Sequence, residues 1–249
     1  MSRLQDQVAV ITGGNSGIGL ATAERFIAEG AQVVLFGRNG KTLGEAVTRL
    51  GARATGVEGD VTKQADLERL FAAVRQRHGR IDVLFVNAGV AEFVPFEAAD
   101  EAHYDRQFDI NVKGAFRTIQ GALPLLSQGA SVVLNTSVVS HVGFPNASVY
   151  SATKAALRSF ARTLSTDLAP RGIRVNAVAP GPIETPIFDR MGIPADQVDA
   201  TKAGIVAGVP IKRMGTPQEV AAAVTFLAAK ESAYVVGVEL DVAGGLGQL

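Results

Sequence analysis

Tyr150 and Lys154 stand four residues apart in the run Val149-Tyr150-Ser151-Ala152-Thr153-Lys154, and Ser137 precedes Tyr150 by thirteen residues. Positions i and i+4 of a helix share a face, with side-chain roots about 6 Å apart. A phenol and an ammonium are thereby held side by side. A free tyrosine has a pKa of about 10, and lowering it by about three units takes about 4 kcal/mol. One cation about 4 Å away, at an effective dielectric near 20, supplies about that much. The pair can therefore move a proton to or from an oxygen near neutral pH. The plainer reading is an ordinary solvated helix face, and only the rest of the chain decides between the two.

What must position these groups is a series of short apolar runs alternating with helix-like segments. Strands are expected at 8–11, 33–36, 53–58, 81–86, 131–136, 173–178 and 238–242, and helices at 18–28, 41–50, 65–77, 148–168 and 217–229, with helical segments across 100–127. Strands continuous in Val, Ile and Leu, alternating with helices, imply an α/β fold with a parallel sheet covered on both faces. No linker, repeat or charge block divides residues 1–249, which read as one domain. The main irregular stretch is 180–210, with five prolines; a long loop of this kind reads as a substrate lid.

The first strand runs into Thr12-Gly13-Gly14-Asn15-Ser16-Gly17-Ile18-Gly19, and a helix follows. Glycines at such a turn let the backbone approach a pyrophosphate, and the helix N-terminus supplies N–H donors. The strand-before, helix-after context favours a dinucleotide over a mere tight turn. An NAD site of this type wants a carboxylate at the end of the second strand. Here Phe36-Gly37-Arg38-Asn39 stands there, with no acid between Gln32 and Gly44. Arg38 can fork onto a 2′-phosphate, with Gly37 leaving room, so the cofactor reads as NADP(H).

Composition narrows the field. Lys+Arg and Asp+Glu both number 24, so no global field draws the chain to nucleic acid or a membrane surface. There are no cysteines, which excludes disulfides, thiol nucleophiles and cysteine metal sites. No signal-like run opens the sequence and no apolar stretch reaches membrane-spanning length. The expectation is a soluble cytoplasmic protein, with no metal.

Taken together, these motifs resemble the short-chain dehydrogenase/reductase family, over essentially the whole chain. Thr12-Gly13-x-x-x-Gly17-x-Gly19 matches its cofactor loop, Asp60-Val61 its adenine-contacting pair, and Asn87-Ala88-Gly89 the motif beside the ribose. Asn111 matches the asparagine of a proton relay, and Ser137, Tyr150 and Lys154 match the catalytic set. Pro180-Gly181-Pro182-Ile183-Glu184-Thr185 matches the segment around the nicotinamide, with Ile183 and Thr185 at the carboxamide. One departure is Val242-Ala243-Gly244-Gly245, where the family often has Val-Asp-Gly-Gly; it bears on contacts at the C-terminal end, a subunit interface among them.

The resemblance implies a Rossmann-type doubly wound sandwich with a seven-stranded sheet in the order 3-2-1-4-5-6-7, and a homotetramer. It further implies hydride transfer between NADP(H) and a carbonyl or alcohol carbon. Tyr150 would be the general acid or base and Ser137 a hydrogen-bond donor to the reacting oxygen. Lys154 would lower the Tyr150 pKa and bind the ribose, and Asn111 would hold a relay water. The cofactor set is then Gly13, Asn15, Ser16, Gly17, Ile18, Gly19, Arg38, Asp60, Val61, Asn87, Ala88, Gly89, Tyr150, Lys154, Pro180, Gly181, Ile183 and Thr185.

Apolar residues of the lid (Ile187, Phe188, Met191, Ile193, Ile205, Val206, Val209) and after the strand ends (Val90, Phe93, Val138, Val139, Val142, Phe144) suggest a small apolar or aromatic ketone or secondary alcohol as substrate. Reduction of 3-oxoacyl thioesters is the alternative, weakened because 124–131 lacks basic residues, although Arg171 and Arg174 lie near the next strand. A catalytically silent NADP(H)-binding sensor is the alternative of another class. His78 and His103 read as surface residues, and Asp109 as structural. His141 and Glu92 are placed either at the edge of the pocket or in solvated loops.

Overall fold

The computed structural model describes residues 2–185 and 198–249. Its strands are β1 (Val8–Thr12), β2 (Gln32–Gly37), β3 (Ala54–Glu58), β4 (Ile81–Val86), β5 (Leu126–Asn135), β6 (Arg174–Pro180) and β7 (Glu239–Val242). They form one seven-stranded sheet in the order β3-β2-β1-β4-β5-β6-β7, every pairing parallel. The helices are α1 (Gly17–Ala28), α2 (Gly40–Leu50), α3 (Gln64–His78), α4 (Glu101–Phe108), α5 (Gly114–Ala122), α6 (Ser148–Leu168), α7 (Val198–Gly208) and α8 (Pro217–Ala228).

Successive strand residues point to opposite faces, and here each face has its own core. Val10, Val34, Leu84 and Val132 pack with Leu70 of α3, Ile119 of α5 and Leu157 of α6. Ile11, Leu35, Phe85 and Val133 pack with Phe26 of α1, Leu43 of α2 and Val224 of α8. The chain winds outward from β1 to β3, then returns to place β4 on the other side of β1. This reversal opens a crevice at the C-terminal strand ends, the usual ligand position in such sheets. Among the described residues no helix is long and apolar enough to cross a membrane.

Three features differ from the sequence reading. β5 begins at Leu126, with an irregular register between Ile81 and Val83. The helical run after Asp100 is interrupted by a π-helical turn at Asp109–Lys113 and ends at Ala122. The stretch expected to be irregular holds the last residue of β6 and all of α7. No residue of α7 is buried, so it lacks the apolar stripe from which helices are recognised.

Helix α4 leads into the π turn and starts from Asp100, whose side chain accepts a hydrogen bond from the His103 N–H at 2.7 Å. Asp100→Ala should cost about 1 kcal/mol, read in a thermal melt as a Tm drop of about 2–4 °C. Asp100→Asn, which keeps the accepting oxygen, should melt with the wild type. Equal loss in both variants would show that the cap does not hold α4.

Candidate active site

Ser137 and the Tyr150/Lys154 pair meet at the C-terminal end of β5. Thr136 fastens this end to β6, its N–H and hydroxyl both donating to the Val178 carbonyl. Ser137 then opens a 3-10 turn, Val138–Ser140, with its hydroxyl 3.4 Å from the Pro180 carbonyl. Tyr150 lies in the first turn of α6 and Lys154 one turn on. The Lys154 ammonium donates to the Asn135 carbonyl at 2.8 Å and lies 5.6 Å from the centre of the Tyr150 ring. Phe93 packs on that ring at 5.6 Å.

The electrostatics differ from the simple Coulomb expectation. Burial pushes the Tyr150 phenol up to about 12, against the smaller opposing pull of the Ser137 hydroxyl. Burial pushes the Lys154 ammonium down to about 8. Exclusion of water disfavours both charged forms, and the lysine is bonded to a carbonyl rather than to the phenol. At neutral pH the phenol keeps its proton.

Asn111 lies in the π turn, 1 % exposed. Its amide N–H groups donate to the Val90 carbonyl and the Thr153 hydroxyl, and its side-chain oxygen accepts from the Val90 N–H at 2.8 Å. The side chain is therefore committed to protein partners. A Cβ on Gly89 would lie 3.0 Å from the Asn111 side-chain oxygen and 3.6 Å from the Lys154 ammonium. The absence of a side chain there leaves these groups facing one space.

The glycine loop lies across the crevice. Gly13 and Gly17 have φ of 64° and 51°, where L side chains are strained. A Cβ on Gly19 would collide with the Gly13 carbonyl oxygen. Ser16 occupies the N-cap of α1 without a side-chain cap bond, leaving the first-turn N–H groups for an anion. Asn87 ties the loop down, donating to the Thr12 and Gly13 carbonyls at 3.0 and 3.1 Å and accepting from Asn135 at 2.9 Å. The N–H of Ala88 is held by the Thr12 hydroxyl. Such a cradle fits the pyrophosphate of a dinucleotide.

At the end of β2, Arg38 is exposed and among the described residues makes no hydrogen bond or ion pair. The room expected over Gly37 is taken by the Asn15 carboxamide, which donates to Thr42. Asp60 accepts from the Thr62 N–H and hydroxyl. The Val61 side chain is buried against Gly114, so only the backbone of that residue remains for a ligand. Thr185 lies over Gly17, Ile183 is buried and bridged to Gly215, and the Gly181 N–H donates to Val242.

These parts enclose a cavity of about 550 Å³ that reaches from Ile18 to Ser137, Tyr150 and Lys154. Val90, Phe93, Val138, Val139, Phe144 and Ile205 line it as expected; Val142 does not, packing instead against Gly247. Val209 is buried, and Ile187, Phe188, Met191 and Ile193 lie outside the described residues. Asn135, Asn146, Thr201 and Leu246 also line the cavity. They come from four separate segments, β5, a loop, α7 and the C-terminal segment, which only the fold brings together. Ala243 packs with Val138 and Val139, beside the cavity wall.

Of the remaining polar residues, all but His78 have structural partners. His103, expected at the surface, is 6 % exposed and bonds to Gln107 on the inner face of α4. His78 is half-buried, which lowers its pKa. Glu92 is gripped by Arg106, which holds its carboxyl below the usual range. Asp109 pairs with Lys113 at 2.9 Å. His141 lies between Glu239 and Asp241.

The family model described as Enoyl-(Acyl carrier protein) reductase matches residues 13–247. The chain is 41 % identical to oxidoreductase asL5 of Sarocladium schorii, over 100 % of this chain and 99 % of that protein. The crystal structure of L-sorbose reductase from Gluconobacter frateurii, complexed with NADPH and L-sorbose, superposes with a TM-score of 0.93 at 31 % identity, covering 100 % of both chains. That of 3-ketoacyl-(acyl-carrier-protein) reductase from Brucella melitensis, complexed with NADH, gives 0.89 at 29 %, covering 97 % of this chain and 98 % of that one. The chain thus belongs to the short-chain dehydrogenase/reductase family, oxidoreductases that use a nicotinamide cofactor on CH–OH and C=O groups.

Proposed function

We propose that this chain is an NADPH-dependent reductase of apolar or aromatic carbonyl compounds, working reversibly as an alcohol dehydrogenase. The observation that carries this reading is the meeting of Ser137, Tyr150 and Lys154 in one largely apolar cavity that opens onto the glycine cradle. The nicotinamide, when bound, supplies or accepts the hydride. Ser137 holds the carbonyl oxygen by a hydrogen bond, and Tyr150 gives it a proton as general acid. The raised phenol pKa suits this direction, because the donor is protonated at rest. Lys154, fixed by the Asn135 carbonyl, presents a cation beside the phenol. Segment 180–210 acts as the substrate lid of a single 1–249 domain.

NADPH is preferred because the Arg38 guanidinium is open to a 2′-phosphate and the end of β2 carries no acid. Exposed Phe116 and the stacked Tyr104–Phe108 pair on α4 and α5 support self-association, read as a homotetramer. Reduction of 3-oxoacyl thioesters is the second reading, favoured by the likeness to the Brucella enzyme. Against it, Arg171 and Arg174 are bonded to backbone carbonyls of Leu123 and of residues 228–232.

NADPH consumption should be fastest with aryl or alkyl ketones in a panel that includes L-sorbose and a 3-oxoacyl thioester, and Tyr150→Phe should lose about 10²–10⁴-fold. Turnover left intact in Tyr150→Phe would refute the mechanism. No turnover by wild type, with tight NADPH binding, would make the protein a sensor. Arg38→Ala should raise the KM for NADPH about 10- to 100-fold, the loss of a charge-assisted hydrogen bond, and leave that for NADH unchanged; equal effects on both would remove Arg38 from the 2′-phosphate site. Lys154 loses its proton as pH rises through about 8, so kcat/KM for reduction should be level below that pH and fall above it. Lys154→Met should give a low profile without that limb, whereas a wild-type profile level to pH 10 would show that the ammonium is not required.

A further inference from the structure

Residues i and i+2 of a strand share a face, and on β7 these are Glu239 and Asp241. Both turn toward the loop that follows Ser137. Glu239, with its side chain 8 % exposed, accepts from the Ser140 hydroxyl at 3.0 and 3.1 Å through its two oxygens. One of these oxygens also lies 2.9 Å from Nε of Arg158. Ser140 is bound to Ser137 within one 3-10 turn, its N–H donating to the Ser137 carbonyl at 2.9 Å. Arg158 lies on α6, one helical turn beyond Lys154 and two beyond Tyr150. A single carboxylate thus grips both the turn that carries Ser137 and the helix that carries Tyr150 and Lys154.

His141 completes the clamp, with its ring nitrogens 3.5 Å from Glu239 and 3.3 Å from Asp241. Asp241 also accepts from Gln248 in the C-terminal segment. The His141, Glu239 and Asp241 ligand atoms are close enough together to suggest a cation site. However, the Arg158 guanidinium already neutralises Glu239, and Ser140 bonds both of its oxygens, so the group is a clamp rather than a metal centre.

We propose that Glu239 is a positioning residue for the reaction. It holds the Ser137 turn against α6 so that the Ser137 and Tyr150 hydroxyls converge on one substrate oxygen. Among the described residues nothing in the cluster is bonded to the glycine cradle, so the effect falls on chemistry rather than on cofactor binding. The inference rests on the carbonyl chemistry proposed above. Misplacement of a reacting group by about 1 Å can cost about 100-fold in rate, which sets the expected scale.

The test is a double-mutant cycle on the best ketone of the panel, with NADPH binding measured by fluorescence. Glu239→Ala should lower kcat about 10- to 100-fold and leave the NADPH Kd within about twofold. Glu239→Gln, which keeps an oxygen for Ser140, should regain most of the loss. In a Ser137→Ala background Glu239→Ala should cost little more, because the group it positions is gone. Ser140→Ala makes the same comparison with the ion pair intact, should Glu239→Ala not fold. Unchanged kcat in Glu239→Ala and Ser140→Ala, or equal losses with and without Ser137, would overturn the proposal. Tyr150→Phe run alongside separates the two failures. If it keeps turnover the carbonyl mechanism has failed, and if it is inactive while the cycle is additive only the role of Glu239 has.

Discussion

The Asn87 carboxamide joins three strand ends, and the site depends on that junction. Its N–H groups hold the carbonyls of Thr12 and Gly13 after β1, and its oxygen accepts from Asn135 at the end of β5. Asn135 in turn receives the Lys154 ammonium on its backbone carbonyl. One continuous chain of hydrogen bonds therefore runs from the glycine loop to α6. Each link lies at a C-terminal strand end, where the sheet reversal between β1 and β4 has parted the neighbouring connections and left backbone groups to be bonded by side chains.

Burial sets the chemistry of what this junction holds. The same packing that fixes Tyr150 under Phe93 removes the water that would stabilise a tyrosinate, and it depresses Lys154 for the same reason. A site in which both partners resist ionising starts with a neutral phenol, the state a proton donor needs. The π turn at Asp109–Lys113 adds to this enclosure. It breaks the ordinary helical hydrogen-bond pattern and brings Asn111 inward, where its side chain is saturated by Val90 and Thr153.

The parallel sheet was legible because its central strands carry runs rich in Val, Ile, Leu and Phe, such as Val33–Phe36 and Val83–Val86, and such runs are read without knowing their neighbours. The glycine loop was legible because its residues are contiguous and its strand and helix flank it directly. Helix α7 escaped because none of its residues is fully buried, and the π turn because a helix with one extra residue in a turn looks like any helix in sequence. His103 was misplaced for a related reason. Its burial depends on which face of α4 meets the core, and its partners Gln107 and Glu92 were identified only by that packing.

What the sequence determined by itself was therefore whatever rests on local spacing: the alternation of elements, the cradle from Gly13 to Gly19, and a phenol and an ammonium one helical turn apart. Tertiary structure alone decided which distant residues meet. Asn87 finds Asn135, Glu239 finds Ser140 and Arg158, and Leu246 closes the cavity from the C-terminal segment. It also decided the protonation of Tyr150 and Lys154. The physical reason is common to both: hydrogen-bond partners and solvent exclusion are properties of the space between elements, and no spacing along the chain encodes them.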